Sequence, residues 1–145
     1  MKIKVKRVSE AALMPVRGSS HAAGYDLCAA IREELTVLPH TTVKVDTGLQ
    51  MELPDGYFAG IFARSGIASR EGLRPANCVG VCDSDYRGNY IVAIHNDSDV
   101  PRVIVPGEKI AQMIVLPYLA LEFEETDDLT ETERGAGGFG STGTR

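Results

Sequence analysis

The chain has 145 residues, of which 43% are hydrophobic and 24% charged, and its formal net charge is −5. That is enough chain for one domain with a buried core. The acidic balance argues against a general nucleic-acid binder, and no apolar run approaches the roughly 20 residues that a membrane-spanning helix needs.

The first segment, MKIKVKRVSE, is basic but has no apolar stretch behind it, so it does not read as a secretory signal. As a strand, Ile3–Val8 puts Lys2, Lys4 and Lys6 on one face and Ile3 and Val5 on the other, an edge pattern that discourages aggregation. Further strands are predicted at Leu35–Leu38, Thr42–Asp46, Leu49–Leu53, Tyr57–Ala63, Val79–Cys82, Tyr90–Asn96, Arg102–Val105, Ile110–Leu116 and Leu119–Glu124. Turn formers separate them: Pro39, Gly48, Pro54-Asp55-Gly56, Gly88, Asp97–Asp99, Pro106-Gly107 and Pro117. Only Ser65–Ser69 reads as a helical turn. Short strands at this spacing predict an all-β fold, a distorted jelly roll or barrel-like sandwich with at most one short helix. Residues 1–123 form the predicted β domain. Residues 124–145, acidic up to Glu133 and glycine-rich after it, form a predicted flexible arm.

Cys28, Cys78 and Cys82 make an odd set of 3, which suits reduced thiols in the cytoplasm. Cys78 and Cys82 are four apart with His95 downstream, but a structural zinc site usually takes four ligands. On a strand, that spacing puts two small apolar side chains on one face.

Chemistry concentrates in Val79–Asn96, VGVCDSDYRGNYIVAIHN. Two apolar runs flank Asp83, Ser84, Asp85, Tyr86, Arg87 and Gly88, which predicts a β-hairpin with an unusually functional turn. A plain turn whose Asp side chains cap their own backbone is the simpler alternative. Two other stretches weigh against it. Arg64-Ser65-Gly66, at a strand end, makes a small anion site. Asp26, in the apolar setting of Gly24-Tyr25-Asp26-Leu27, needs a partner, and Arg64 is the candidate. In the arm, Gly135-x-Gly137-x-x-Gly140 matches the dinucleotide fingerprint in spelling only, because no helix follows it. What remains is a run of backbone N–H groups with Arg134, Ser141 and Thr142 to grip an anion and Phe139 to cover a flat ring. Phosphates beside a flat ring describe a nucleotide.

Taken in order, Ala23–Leu27, Arg64–Ala68, Gly80–Gly88, Gly107–Val115 and Arg134–Gly143 resemble the motifs of the trimeric dUTPase family. The resemblance implies a β jelly roll, a homotrimer with active sites shared between subunits, and Mg²⁺-assisted hydrolysis of dUTP to dUMP and pyrophosphate. It implies a role in keeping uracil out of DNA and supplying dUMP for thymidylate synthesis. It implies Asp83 as the general base. Asn77, Gly80, Val81, Asp83, Tyr86 and Phe139 would meet uracil and deoxyribose. Arg64, Ser65, Gly66, Gln112, Arg134, Ser141, Thr142 and Gly143 would meet the phosphates, with Asp26 supporting Arg64. Mg²⁺ would be held by phosphates and water, with no direct protein ligand. No nucleic acid or membrane partner is implied. The sequence departs from the family pattern at Ala63, where Pro is frequent, at Cys82, where a branched aliphatic is common, and at Asn89, where an acidic residue is frequent. The alternatives are a dCTP deaminase or bifunctional relative on the same fold, and a non-catalytic nucleotide-binding regulator.

Overall fold

A computed structural model describes residues 2–138. Twelve strands run in chain order: β1 (Lys4–Arg7), β2 (Val16–Arg17), β3 (Tyr25–Cys28), β4 (Leu35–Val37), β5 (Thr42–Asp46), β6 (Leu49–Glu52), β7 (Tyr57–Phe62), β8 (Leu73–Pro75), β9 (Gly80–Cys82), β10 (Ile91–Asn96), β11 (Arg102–Ile104) and β12 (Lys109–Pro117). One helix, α1 (Ser65–Glu71), interrupts them between β7 and β8. They assemble into a 5-stranded sheet of order β2-β3-β12-β7-β9, a 3-stranded sheet β5-β10-β8, and the pairs β1-β6 and β11-β4. All ladders are antiparallel. This is the distorted jelly-roll-like sandwich that the strand spacing predicts.

Alternation along the strands builds the core. In β10, Val92, Ile94 and Asn96 point inward while Ile91 faces solvent, the period of two of a half-buried strand. Leu27, Val37, Val45, Leu49 and Ile94 are fully buried. β12 breaks the alternation at its start: a register shift between Lys109 and Ala111 lets Ile110 and Ala111 both face inward. That bulge re-aims the rest of the strand. Asn96 is polar and fully buried, and it is satisfied. Its Nδ2 donates to Val37 O at 3.0 Å and Val100 O at 2.8 Å, and its Oδ1 accepts from Ser98 N at 2.9 Å. A buried amide is tolerated only with such partners.

Three expectations are corrected. Val79–Asn96 is not a laddered hairpin: β9 pairs with β7, β10 pairs with β5 and β8, and the polar loop crosses from one sheet to the other. The better partners for both apolar runs lie elsewhere in the chain. Leu119–Glu124 is not a strand. Pro117 ends β12, and beyond it Leu119 and Phe123 are 84% and 95% exposed and join no described strand. The helical turn runs on to Glu71, where Gly72 at φ 73° caps it, a left-handed stop that glycine adopts without penalty.

Gly48 turns the chain between β5 and β6 at φ +65°, and a Cβ there would come within 2.9 Å of the Cβ atoms of Ala12 and Ser9. Gly48→Ala should therefore cost about 2–4 kcal/mol, from left-handed strain plus overpacking. Urea unfolding checks this, and an unmoved midpoint would mean that the turn relaxes.

Candidate active site

The candidate side chains of the β domain gather in two clefts. The first opens on β9 and the loop behind it. Ile61 of β7 pairs with Gly80, and a Cβ on Gly80 would press on Ile61 at 3.2 Å and on the Asn77 amide at 3.4 Å. The missing side chain lets Asn77 reach the strand. The turn that presents Asn77 is strained, with Cys78 at φ 62°. A non-glycine residue in that region persists only where its surroundings enforce it. Asn77, Gly80, Val81, Asp83 and Tyr86 line this cleft together with Tyr90.

Asp83 follows β9 directly and is exposed. Among the described residues its carboxylate makes no ion pair. Its carbonyl accepts the Tyr86 amide at 3.2 Å. Arg87, which the sequence reading left without a role, staples the loop, donating from Nη1 to Ser84 O at 2.6 Å and Tyr86 O at 3.1 Å. Burial, and then the neighbouring Asp83 charge, push the Cys82 thiol above its ordinary pKa. It stays neutral and adds no second anion beside Asp83.

The second cleft lies across β3, β12 and the end of β7, lined by Asp26, Arg64, Ser65, Gly66 and Gln112 with Gly24 at its rim. Arg64 Nε donates to Asp26 Oδ1 at 2.8 Å, the pairing expected from the sequence. Lys109, not anticipated, takes the other carboxylate oxygen at 2.7 Å, and its carbonyl accepts from Arg64 Nη1 at 3.2 Å. Burial alone would raise the Asp26 pKa, but the Lys109 ammonium and the Arg64 guanidinium outweigh it and hold the carboxyl below its usual value. Gln112 is fixed by donating to Ala63 O at 2.8 Å. Its side chain fills the space above Gly24, where a Cβ would overlap its amide oxygen. No sequence pattern flags that contact, since a glycine before a strand reads as punctuation.

Arg134 lines neither cleft and donates from Nε to Gly137 O at 2.9 Å within its own segment. Phe139, Ser141, Thr142 and Gly143 lie outside the described residues.

A family model for dUTPase matches residues 10–143. The chain belongs to the dUTPase family. It is 50% identical to the deoxyuridine 5'-triphosphate nucleotidohydrolase of Desulfitobacterium hafniense, over 99% of this chain and 95% of that one. With the Anaplasma marginale protein of the same name it shares 42% identity over 99% of both. Its fold is that of the Staphylococcus bacteriophage 80alpha dUTPase solved with dUPNHPP, at a TM-score of 0.90 and 28% identity over 98% of each chain. In this dUTPase chain the two clefts share no lining residue.

The depressed Asp26 carboxyl ties stability to acid. Its folded pKa lies below the unfolded value of about 3.9, so its contribution is complete above that value and is lost as pH falls through the lower one. Asp26→Asn should flatten this acid limb. At neutral pH it should cost about 2–3 kcal/mol, less than the 3–5 of a fully buried pair, because the Lys109 side chain is 44% exposed. Urea midpoints at pH 3, 4 and 7 measure both effects, and parallel curves for the two proteins would remove Asp26 from the acid response.

Proposed function

We propose that the protein hydrolyses dUTP to dUMP and pyrophosphate, with Asp83 as general base. Asp83 takes a proton from a water that attacks the α-phosphorus. The new bond is P–O from that water, the bond from the α-phosphorus to the bridging oxygen breaks, and pyrophosphate leaves with the electron pair. A positioned carboxylate contributes roughly 10²–10⁴-fold to such a step. The observation that carries this reading is an exposed Asp83, without an ion pair among the described residues, in the same cleft as Asn77 and Tyr86, in a chain of this family.

Uracil presents an acceptor, a donor and an acceptor, which Asn77 and the free backbone edge at Gly80 and Val81 complement. Cytosine leaves buried groups unpaired, and such mismatches discriminate by roughly 10⁴-fold or more. The Tyr86 ring packs against deoxyribose and leaves no room for a 2′-hydroxyl. Arg64, Ser65, Gly66 and Gln112 meet the phosphates, and the arm residues Arg134, Ser141, Thr142 and Gly143 close over them, with Phe139 on the base. This makes residues 124–145 a working arm attached to a β domain of residues 1–123.

The second cleft offers donors, since the Asp26 carboxylate is committed to Arg64 and Lys109. That donor set suits phosphate and offers no free carboxylate to a cation, so Mg²⁺ would reach this site with the nucleotide rather than on protein ligands. Mg²⁺, when bound there, supplies charge neutralisation on the triphosphate. Arg64, Ser65, Gly66 and Gln112 bind or orient the nucleotide independently of it.

The family resemblance implies a homotrimer with active sites shared between subunits, and we assign that as the functional unit; a nucleoside cleft and a phosphate cleft that share no lining residue are compatible with it. Free Cys28, Cys78 and Cys82 suit a cytoplasmic setting.

The test gives the purified protein dUTP, dCTP, dTTP and UTP separately with Mg²⁺ and quantifies nucleotides and pyrophosphate. dUMP and pyrophosphate from dUTP alone are expected. Deoxyuridine products from dCTP would move the assignment to a deaminase, and tight dUTP binding without turnover would move it to a regulator. Asp83→Asn should lower kcat roughly 10²–10⁴-fold with little change in dUTP affinity by calorimetry. Equal loss of both would make Asp83 a binding residue. Removal of residues 134–145 should cut kcat while light scattering still reports a trimer, and an unchanged rate would take the arm out of the mechanism.

A further inference from the structure

Asn89 is held from two strands. Its Nδ2 donates to Asp46 Oδ2 at 2.8 Å, at the end of β5, and its Oδ1 accepts from Gln50 Nε2 at 3.1 Å, on β6. The orientation of the amide follows from chemistry: a carboxylate only accepts, so the NH₂ must face Asp46. Asp46 is fixed in turn, because its other oxygen accepts the Gly48 amide at 2.7 Å. The Asn89 carbonyl then accepts the Tyr86 hydroxyl at 3.0 Å.

Tyr86 is 43% exposed, on a loop between two sheets, and an aromatic side chain there needs an external frame to hold one position. It has three contacts that supply one. Its hydroxyl ends on Asn89. Its ring folds back over Gly88, where a Cβ would overlap it. The Tyr90 ring supports it, tilted 52° with centroids 6.0 Å apart. Tyr90 is 2% exposed and its buried hydroxyl has no partner among the described residues. An orphaned hydroxyl is a cost, so the ring is the part of Tyr90 that serves the cleft.

We propose that Asp46, Gln50 and Asn89 form a positioning clamp that sets the discrimination between deoxyribose and ribose by fixing the Tyr86 ring. The proposal rests on the assignment of Tyr86 to the sugar. A packed wall that can yield rejects one added hydroxyl weakly, by about 10²-fold, and a site about 1 Å too loose loses its selectivity. Rigidity supplied from β5 and β6 is what turns a ring on a loop into a firm wall. The clamp acts through Tyr86: Asn89 also lines the cleft, whereas Asp46 and Gln50 do not, so Gln50 reports the positioning effect without a place in the cleft wall.

The test measures kcat/KM for dUTP and UTP in the wild-type protein and in Asn89→Ala, Gln50→Ala and Tyr90→Phe, with a melting temperature for each. Asn89→Ala removes both clamp bonds and should narrow the dUTP-over-UTP ratio about tenfold, and Gln50→Ala, which removes one, about threefold. Tyr90→Phe keeps the ring and should keep the ratio. If Asn89→Ala and Gln50→Ala lose dUTP and UTP turnover in equal proportion, or melt lower with the ratio intact, the clamp is only structural and the proposal is overturned. If Asn89→Ala does not fold, Gln50→Ala decides alone. A wild-type protein that turns over dUTP and UTP equally overturns the sugar assignment itself, an outcome separate from any result with the variants.

Discussion

The structure depends on β7 pairing on both sides at once. Near its end Phe62 sits opposite Gln112 of β12, while Ile61 sits opposite Gly80 of β9. These two registers put one cleft on each flank of the same strand. The chain then leaves β7 through Ala63, whose carbonyl holds Gln112, and reaches Arg64, which bonds to Asp26 on β3, beyond β12. A slip of one residue in either ladder would turn Gln112 or Gly80 to the opposite face. Geometry on both sides is therefore set by backbone pairing before any side chain acts.

Two carboxylates in the same domain meet opposite environments. Asp26 is mostly buried and shared by two cations, and its charge is committed to holding β3, β12 and the start of α1 together. Asp83 is exposed and without a cation among the described residues, which leaves its lone pairs for a water. Cys82, kept neutral by burial, preserves that separation of roles. On the proposed mechanism, the same residue type serves as a joint in one cleft and as a reactive group in the other.

Much of this was legible in the sequence because it follows local rules. Pro54-Asp55-Gly56, Gly48 and Pro106-Gly107 punctuate the strands as their turn preferences require, and Asp26 in an apolar setting pointed correctly to Arg64. What could not be read depends on distant partners. β3 carries a charge in its middle and β8 ends in proline, so neither looks like a strand until β12 and β10 are alongside. The two apolar runs around Asp83–Gly88 satisfy every local sign of a hairpin, yet each pairs more favourably with another strand. Lys109 on Asp26 and the grip of Asp46 and Gln50 on Asn89 span tens of residues, and neither leaves a periodic or motif-level trace. Leu119, Leu121 and Phe123 alternate as a strand does, but all three are exposed and pair with no described strand.

β9 is three residues long and stands at the edge of its sheet, with β7 on one side only. On the proposed assignment, the nucleobase occupies the place of a missing neighbour strand. Recognition then uses peptide N–H and C=O groups, which are the same whichever side chain stands at position 81. An inhibitor built against that edge would read atoms that no substitution except proline can delete. Resistance would have to come from changes in the shape around it, and those changes would also confront the natural substrate.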